Sequence, residues 1–220
     1  MSDRRAKRTL SLVSDLSSLA DEDLMLRYRS GDVAAFDILV LRHRARIYSF
    51  LLRRLRSPER AEELLSEVFL KLHRAAPRYE PEARFTTYLF TIAYRACLNA
   101  EDRLRNRRDQ SVGDTEDLEQ TAALGASSMA SPVSGAVPKS PEHSLRTQRA
   151  VARLDEELGR LPDGQLEIFL LYYREGLSIP EVAACLGLKS SEVKGRLAYA
   201  RKLLRQRMAD FLREGGGDLA

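Results

Sequence analysis

Lys194, Arg196, Arg201, Lys202 and Arg205 lie in a stretch whose apolar residues, Val193, Leu197, Ala200 and Leu204, repeat at helical spacing. A helix so built buries one face and presents ammonium and guanidinium groups on the rest. Such groups hold phosphates and read groove edges; they make and break no bonds. The same pattern also fits an ordinary helical hairpin with a solvated basic face. A second constellation sets Phe85 and Tyr88 beside Arg95, Asn99, Arg103, Arg105, Arg107 and Arg108. Unstacked bases can lie on rings while guanidinium groups hold the backbone, which suits single-stranded nucleic acid. Rings at this spacing are more often helix core. A third group, Glu62, Glu63, Ser66, Glu67 and Leu70, forms an acidic surface with one apolar residue in it and fits a solvated helix face. Converging catalytic groups are missing: His43, His73 and His143 are scattered, the glutamates lack a histidine, and neither HExxH nor a glycine-rich phosphate loop occurs. No catalytic residue, metal site or cofactor is expected, and an all-helical enzyme is disfavoured.

The elements that carry these groups follow from caps and periodicity. Ser178 and Glu181 stand in capping-box spacing, Pro180 falls in the first helical turn, and Gly187 supplies the freedom of a tight interhelical turn. Val182, Ala183 and Leu186 give the first helix its apolar face, so Ser178–Met208 reads as a helix-turn-helix. Upstream, Val151, Leu154 and Leu158 line one helix, and Leu166, Phe169, Leu170 and Tyr173 the next, which Gly176 closes. In the first half, Leu24 and Tyr28 mark a short helix. Phe36, Leu39, Val40, Ile47, Phe50 and Leu51 mark a second. Ser57 and Pro58 open a third, whose Ala61, Leu64, Leu65, Val68, Phe69 and Leu72 form one stripe. Phe85, Tyr88, Leu89, Ile92 and Ala96 give the fourth its core face. Between the halves, an acidic start passes into Ala, Ser, Gly and Pro without any period, as in a tether.

The expectation is an all-α protein of two helical domains joined by a flexible linker, the C-terminal one a helix-turn-helix. The boundaries read as a flexible arm over 1–20, a first domain over 21–108, the linker over 109–144, a second domain over 145–213 and a tail over 214–220. The 220 residues carry a net charge of +4, but the cations gather in separate places, which suggests nucleic-acid contact at more than one surface. No apolar run approaches a membrane span and the N-terminus has no sustained apolar segment, so a cytoplasmic protein with no membrane insertion is expected. Cys97 and Cys185, far apart within apolar helical patterns, read as buried thiols.

Together the pieces resemble a bacterial RNA polymerase sigma factor of the small, two-domain extracytoplasmic-function group, over about 21–108 and 145–213. AEELLSEVFLKLHRA is similar to the family's helix that docks on core polymerase, which implies Glu63, Ser66, Glu67 and Leu70 as docking residues; Ser66 stands where the family usually has Gln. RFTTYLFTIAYRACLNAEDRLRNRR resembles the promoter-melting and minus-10 segment, implying Arg84, Tyr88, Arg95, Asn99 and Arg103 as contacts to single-stranded non-template DNA. Tyr88, Arg95 and Asn99 replace a habitual Trp, Asn and Asp. In the second domain the family's minus-35 contacts to double-stranded promoter DNA fall on Lys194, Gly195, Ala198 and Tyr199. Gly195 stands where Ser is common, Ser190 is expected both to cap the helix in place of Lys189 and to belong to the minus-35 DNA-binding set, and Arg196 to hold phosphates within that set. The resemblance implies a transcription initiation subunit with core RNA polymerase as partner and an anti-sigma factor as a family-level expectation. A conventional helix-turn-helix regulator would share the C-terminal half, but would need neither the docking helix nor the aromatic and basic segment.

Overall fold

The computed structural model describes residues 16–111, 141–162 and 164–214, and in them every regular element is a helix. Most of the expected N-terminal arm, the middle of the linker and most of the tail lie outside the described residues. The arm's last residues are fixed to the domain. Leu16 is buried in the core, and Arg42 donates to the carbonyls of Ser17 and Leu19 at 2.6 and 2.8 Å.

Four helices build the N-terminal unit: α1 (Asp21–Arg29), α2 (Val33–Leu55), α3 (Pro58–Ala75) and α4 (Phe85–Ser111). Acids open α1 and arginines close it, complementing the helix dipole. Asp21 in its first turn accepts from Arg42 at 2.6 Å and pairs with His43 Nε2 at 2.7 Å. Burial alone would raise this carboxyl, but the bonds from His43 and Arg42 outweigh it and hold Asp21 below the usual carboxylate range. Ser57 caps α3 by accepting from Arg60 N–H, and Ala61, Leu64, Leu65, Val68 and Leu72 are buried at the expected spacing, with Phe69 half-buried. A 3₁₀ turn, Ala76–Arg78, leads off α3. The N–H of Phe85 at the start of α4 donates to Glu22 Oε1 at 2.6 Å, so α1 supplies the acceptor at that end. α2 packs against α1, α3 and α4, and Phe50 meets Phe90 edge-on at 5.5 Å between ring centroids.

The C-terminal unit comprises α5 (Pro141–Gly159), α6 (Gln165–Phe169), α7 (Ile179–Leu186) and α8 (Ser190–Glu214). Helical structure thus enters both ends of the stretch expected to be linker, to Ser111 on one side and from Pro141 on the other. α6 runs into a turn of π-helix, Leu170–Arg174. That turn explains one departure from the sequence pattern. A 3.6-residue repeat puts Tyr173 in line with Leu166 and Leu170, but the wider π turn breaks the register and leaves Tyr173 47% exposed. Val151, expected in line with Leu158, is 43% exposed. Glu157 is buried and receives Arg153 at 2.8 Å, Arg160 at 2.6 Å and Arg207 of α8 at 3.2 Å, an ionic staple across α5 and α8.

The two units touch, with α7 lying along α4. Cys185 of α7 is buried and bonds Thr91 of α4; Cys97 of α4 is also buried. Burial pushes the Cys97 thiol up to about 12 and the Cys185 thiol up to about 11.

Candidate nucleic-acid interface

The helix-turn-helix is set by the local chemistry read in the sequence. Ser178 Oγ accepts from Glu181 N–H and Glu181 Oε2 accepts from Ser178 N–H at 2.7 Å, a closed capping box. Gly187 ends α7 with φ +68°, a left-handed position that a side chain strains to occupy. Lys189 holds the cap position of α8: its carbonyl accepts from Val193 N–H, and Glu192 Oε2 accepts Lys189 N–H at 3.0 Å. Ser190 is therefore the first residue of α8 and not its cap, because the carbonyl that opens the helix and the N–H that Glu192 accepts both belong to Lys189.

Val193, Leu197, Ala200 and Leu204 are all buried, which turns Lys194, Gly195, Ala198 and Tyr199 outward as one exposed surface. Tyr199 is 50% exposed, so a ring sits among the cations. Arg196 is half-exposed and leans toward Glu192 at 4.0 Å. Arg201 is held differently: its guanidinium lies 5.8 Å over Tyr172 and 5.3 Å over Tyr173. The exposed Tyr173 that the π turn creates thus becomes a platform for a cation of α8.

On α4, Tyr88, Ile92, Arg95, Asn99 and Arg103 follow one another along a single helical line, with Arg84 just before the helix. Arg84, Arg95, Asn99 and Arg103 are exposed; Tyr88 is half-buried. Phe85 is fully buried, so of the two rings weighed as base platforms it belongs to the core. Tyr88 stands edge-on to Tyr79 at 5.3 Å, and burial raises its hydroxyl. On α3, Glu63, Ser66 and Leu70 are exposed in one line, with Leu70 46% exposed. The Ser66 hydroxyl donates to Glu62 O at 3.2 Å, turned back on its own helix. Glu67 binds Lys71 at 2.8 Å and lies 3.8 Å from Arg103, so the acidic line of α3 and the basic line of α4 meet at that pair.

Sequence reasoning missed a set of carboxylates that join the two units. Arg46 Nε donates to Glu175 Oε2 at 2.7 Å, and Arg53 to Asp155 at 2.8 Å. Arg54 Nη1 lies 2.6 Å from Glu167 Oε1, close enough for an ion pair though not aligned as a hydrogen bond. Thr87 Oγ1 donates to Glu181 Oε1 at 3.1 Å, with Arg84 Nε 3.8 Å from the same oxygen. Glu175 and Glu167 are nearly inaccessible. Nothing local marks such residues; their partners lie too far away in sequence for any periodicity to reveal. Arranged so, the molecule exposes cations, a ring and an amide along α4 and α8 and an acidic line along α3.

Two family patterns match the chain. Residues 39–110 match the pattern of Sigma-70 region 2 and residues 152–204 that of Sigma-70, region 4. The chain is 32% identical to RNA polymerase sigma factor CarQ of Myxococcus xanthus, over 85% of this chain and 97% of that one. It is 26% identical to RNA polymerase sigma-H factor of Pseudomonas aeruginosa, over 90% and 99%. It is 29% identical to ECF RNA polymerase sigma factor SigM of Mycobacterium tuberculosis, over 89% and 88%. Among solved structures, CnrH in complex with the cytosolic domain of CnrY superposes with a TM-score of 0.56 at 24% identity, covering 87% of this chain and 99% of that one. The sigma factor RpoE from Bartonella quintana, in complex with the anti-sigma factor NepR, superposes with a TM-score of 0.57 at 21% identity, covering 79% and 96%. Both likenesses are of fold.

Proposed function

The chain belongs to the sigma-70 family, in its extracytoplasmic-function group, and on that premise we propose how its surfaces divide the family's work. It is a sigma factor: it binds core RNA polymerase and directs promoter recognition and DNA melting at initiation. A regulator acting outside the polymerase is disfavoured, because both family regions occur on one chain. The observation that carries the assignment of surfaces is their separation: an acidic line on α3, an aromatic and basic line on α4 and a basic face on α8 are each exposed on a different helix.

Glu63, Ser66, Glu67 and Leu70 dock on core polymerase, Leu70 supplying apolar area and the carboxylates the charge. Arg84, Tyr88, Arg95, Asn99 and Arg103 hold the single-stranded minus-10 element. Capturing an unstacked base there stabilises the open duplex by binding alone, offsetting an unstacking cost of a few kcal/mol. Lys194, Gly195, Ala198 and Tyr199 read the double-stranded minus-35 element, with Arg196 on phosphates. The domains run over about 21–108 and 145–213, the linker between them. The chain carries no chemistry of its own, since the catalytic site for RNA synthesis belongs to the core; it uses no cofactor and works in the cytoplasm. Among the described residues no helix is long and apolar enough to cross a membrane. An anti-sigma factor is proposed as a further partner, by analogy with the relative named above in complex with one.

Co-purification tests the docking assignment. Wild-type chain mixed with core polymerase co-elutes as a stable complex, and a chain with Glu63 and Glu67 both changed to lysine remains free. Equal retention of both chains would remove α3 from the interface.

A further inference from the structure

Leu41 is 78% exposed and Val33 65%, more than any other large apolar side chain among the described residues. One apolar residue on a surface needs no explanation. These two, however, lie on α2 with exposed Asp37 midway between them, each four residues from the next. Intervals of four put all three on one outward line, about 12 Å from end to end. Ala34 and Ala45 flank that line and are exposed as well.

Residues 16–19 join the domain beside this line. Arg42, next to Leu41, donates to the carbonyls of Ser17 and Leu19, and Leu16 is buried. Leu16 and Ser17 have helical backbone. The sequence ahead of them is MSDRRAKRTLSLVSD, in which Leu12 and Val13 stand four and three before Leu16, the spacing of one helical face. Arg4, Arg5, Lys7 and Arg8 precede that apolar pair.

We infer that residues 8–16 are one more helix of the N-terminal unit, laid along the outward line of α2, with Leu12 and Val13 covering Leu41 and Arg8 meeting Asp37. Two helical residues do not sustain a helix by themselves, so the turn that carries Leu16 and Ser17 is supplied by the residues before them. Charge sets the direction. From Leu41 toward Tyr48 the outer side of α2 carries exposed Arg44, whereas toward Val33 it carries Asp37 and then Asp32. A segment bearing four cations runs toward the carboxylates, and the stems of Arg4 and Arg5 then lie over Val33 with their charged ends in water. The stretch read from the sequence as a flexible arm is, on this geometry, part of the fold.

The experiment places pairs of cysteines in the full chain. Val13→Cys with Leu41→Cys sets two thiols on facing sides, whereas Ser14, paired with Leu41 in the same way, lies about 160° from Leu16 around the arm helix. Cys97 and Cys185 are buried and stay out of the reaction. Under mild oxidation by copper phenanthroline, the Val13 pair should close an intramolecular disulfide about tenfold or more faster than the Ser14 pair, read on non-reducing gels. Equal rates, or no closure by either pair, would mean that the arm does not lie on α2. A disulfide-linked dimer would give the line to a second copy instead, and equally refute the docking. Hydrogen–deuterium exchange supplies a readout without added thiols. Amides of residues 11–15 should exchange about tenfold or more faster in Leu41→Asp than in wild type, with α2 and α3 unchanged. A Leu41→Asp chain that loses core-polymerase binding while its arm exchanges as in wild type would assign the line to the polymerase and overturn the proposal.

Discussion

Glu181 Oε1 accepts the hydroxyl of Thr87 at 3.1 Å while its second oxygen closes the capping box on Ser178. One carboxylate thus starts the first helix of the helix-turn-helix and ties that helix to α4. Desolvation would raise its pKa, but the bonds from Ser178 and Thr87 and the charge of Arg84 prevail and lower it. The residue that makes α7 a helix also sets where α7 sits.

Ser178→Ala removes only the cap, and should lower stability by about 1 kcal/mol in urea denaturation. Glu181→Ala loses the return bond of the box and the Thr87 contact, so it should cost more. A double-mutant cycle with Thr87→Val isolates the second part, with a coupling of about 0.5 kcal/mol or more. Zero coupling would mean that Thr87 and Glu181 do not meet in solution.

Gly195 offers a different test. A Cβ built there meets nothing within 4 Å, so the glycine on the exposed face of α8 serves no close approach within the chain. Gly195→Ala should raise stability by about 0.5–1 kcal/mol through helix propensity alone. Calorimetry should show a higher Tm, and a lower one would reveal a backbone requirement that the structure lacks.

Acid should undo the anchor of α1. The Asp21 carboxyl is held below its usual range in the folded chain, so the unfolded chain binds its proton first as pH falls. The stability from Asp21 is complete above the unfolded value of about 3.9 and is lost as pH drops through the depressed folded value. Urea midpoints measured from neutral pH into acid should fall less steeply for Asp21→Asn than for wild type across that window. Parallel curves would assign the acid sensitivity elsewhere.

Charge reversal should separate the two proposed surfaces. Glu67→Lys places a cation beside Lys71 and Arg103, and should weaken core-polymerase binding about tenfold or more while helicity stays intact. Lys194→Glu, on the exposed face of α8, should cut minus-35-dependent initiation and leave core affinity unchanged. If both variants lose the same function, the surfaces are not distinct.

What could be read from the sequence was what local chemistry determines. The stripe from Ala61 to Leu72, the Ser57 and Ser178 caps and the buried line of α8 need only i, i+3 and i+4 relations, and the structure reproduces them. Glu157 was within reach of the same logic, because Arg153 and Arg160 stand four before and three after it, but a charged residue at such spacing reads as a solvated face until burial is known. Tyr173 was misjudged because a π turn cannot be seen in a 3.6-residue pattern. Lys189 and Ser190 were exchanged because cap assignment hangs on one residue. The carboxylates between the units had no sequence signal: Arg46 and Glu175 are partners only once two independently patterned domains are packed together.

Above all, this chain gives core polymerase a promoter. The direct measurement is mapping of transcript 5′ ends from genomic DNA, with core polymerase alone and with the purified chain added. A defined set of new start sites, sharing upstream elements near minus 35 and minus 10, is the predicted result, and Lys194→Glu should deplete it. Unchanged start sites on adding the chain, despite a formed complex, would contradict the claim.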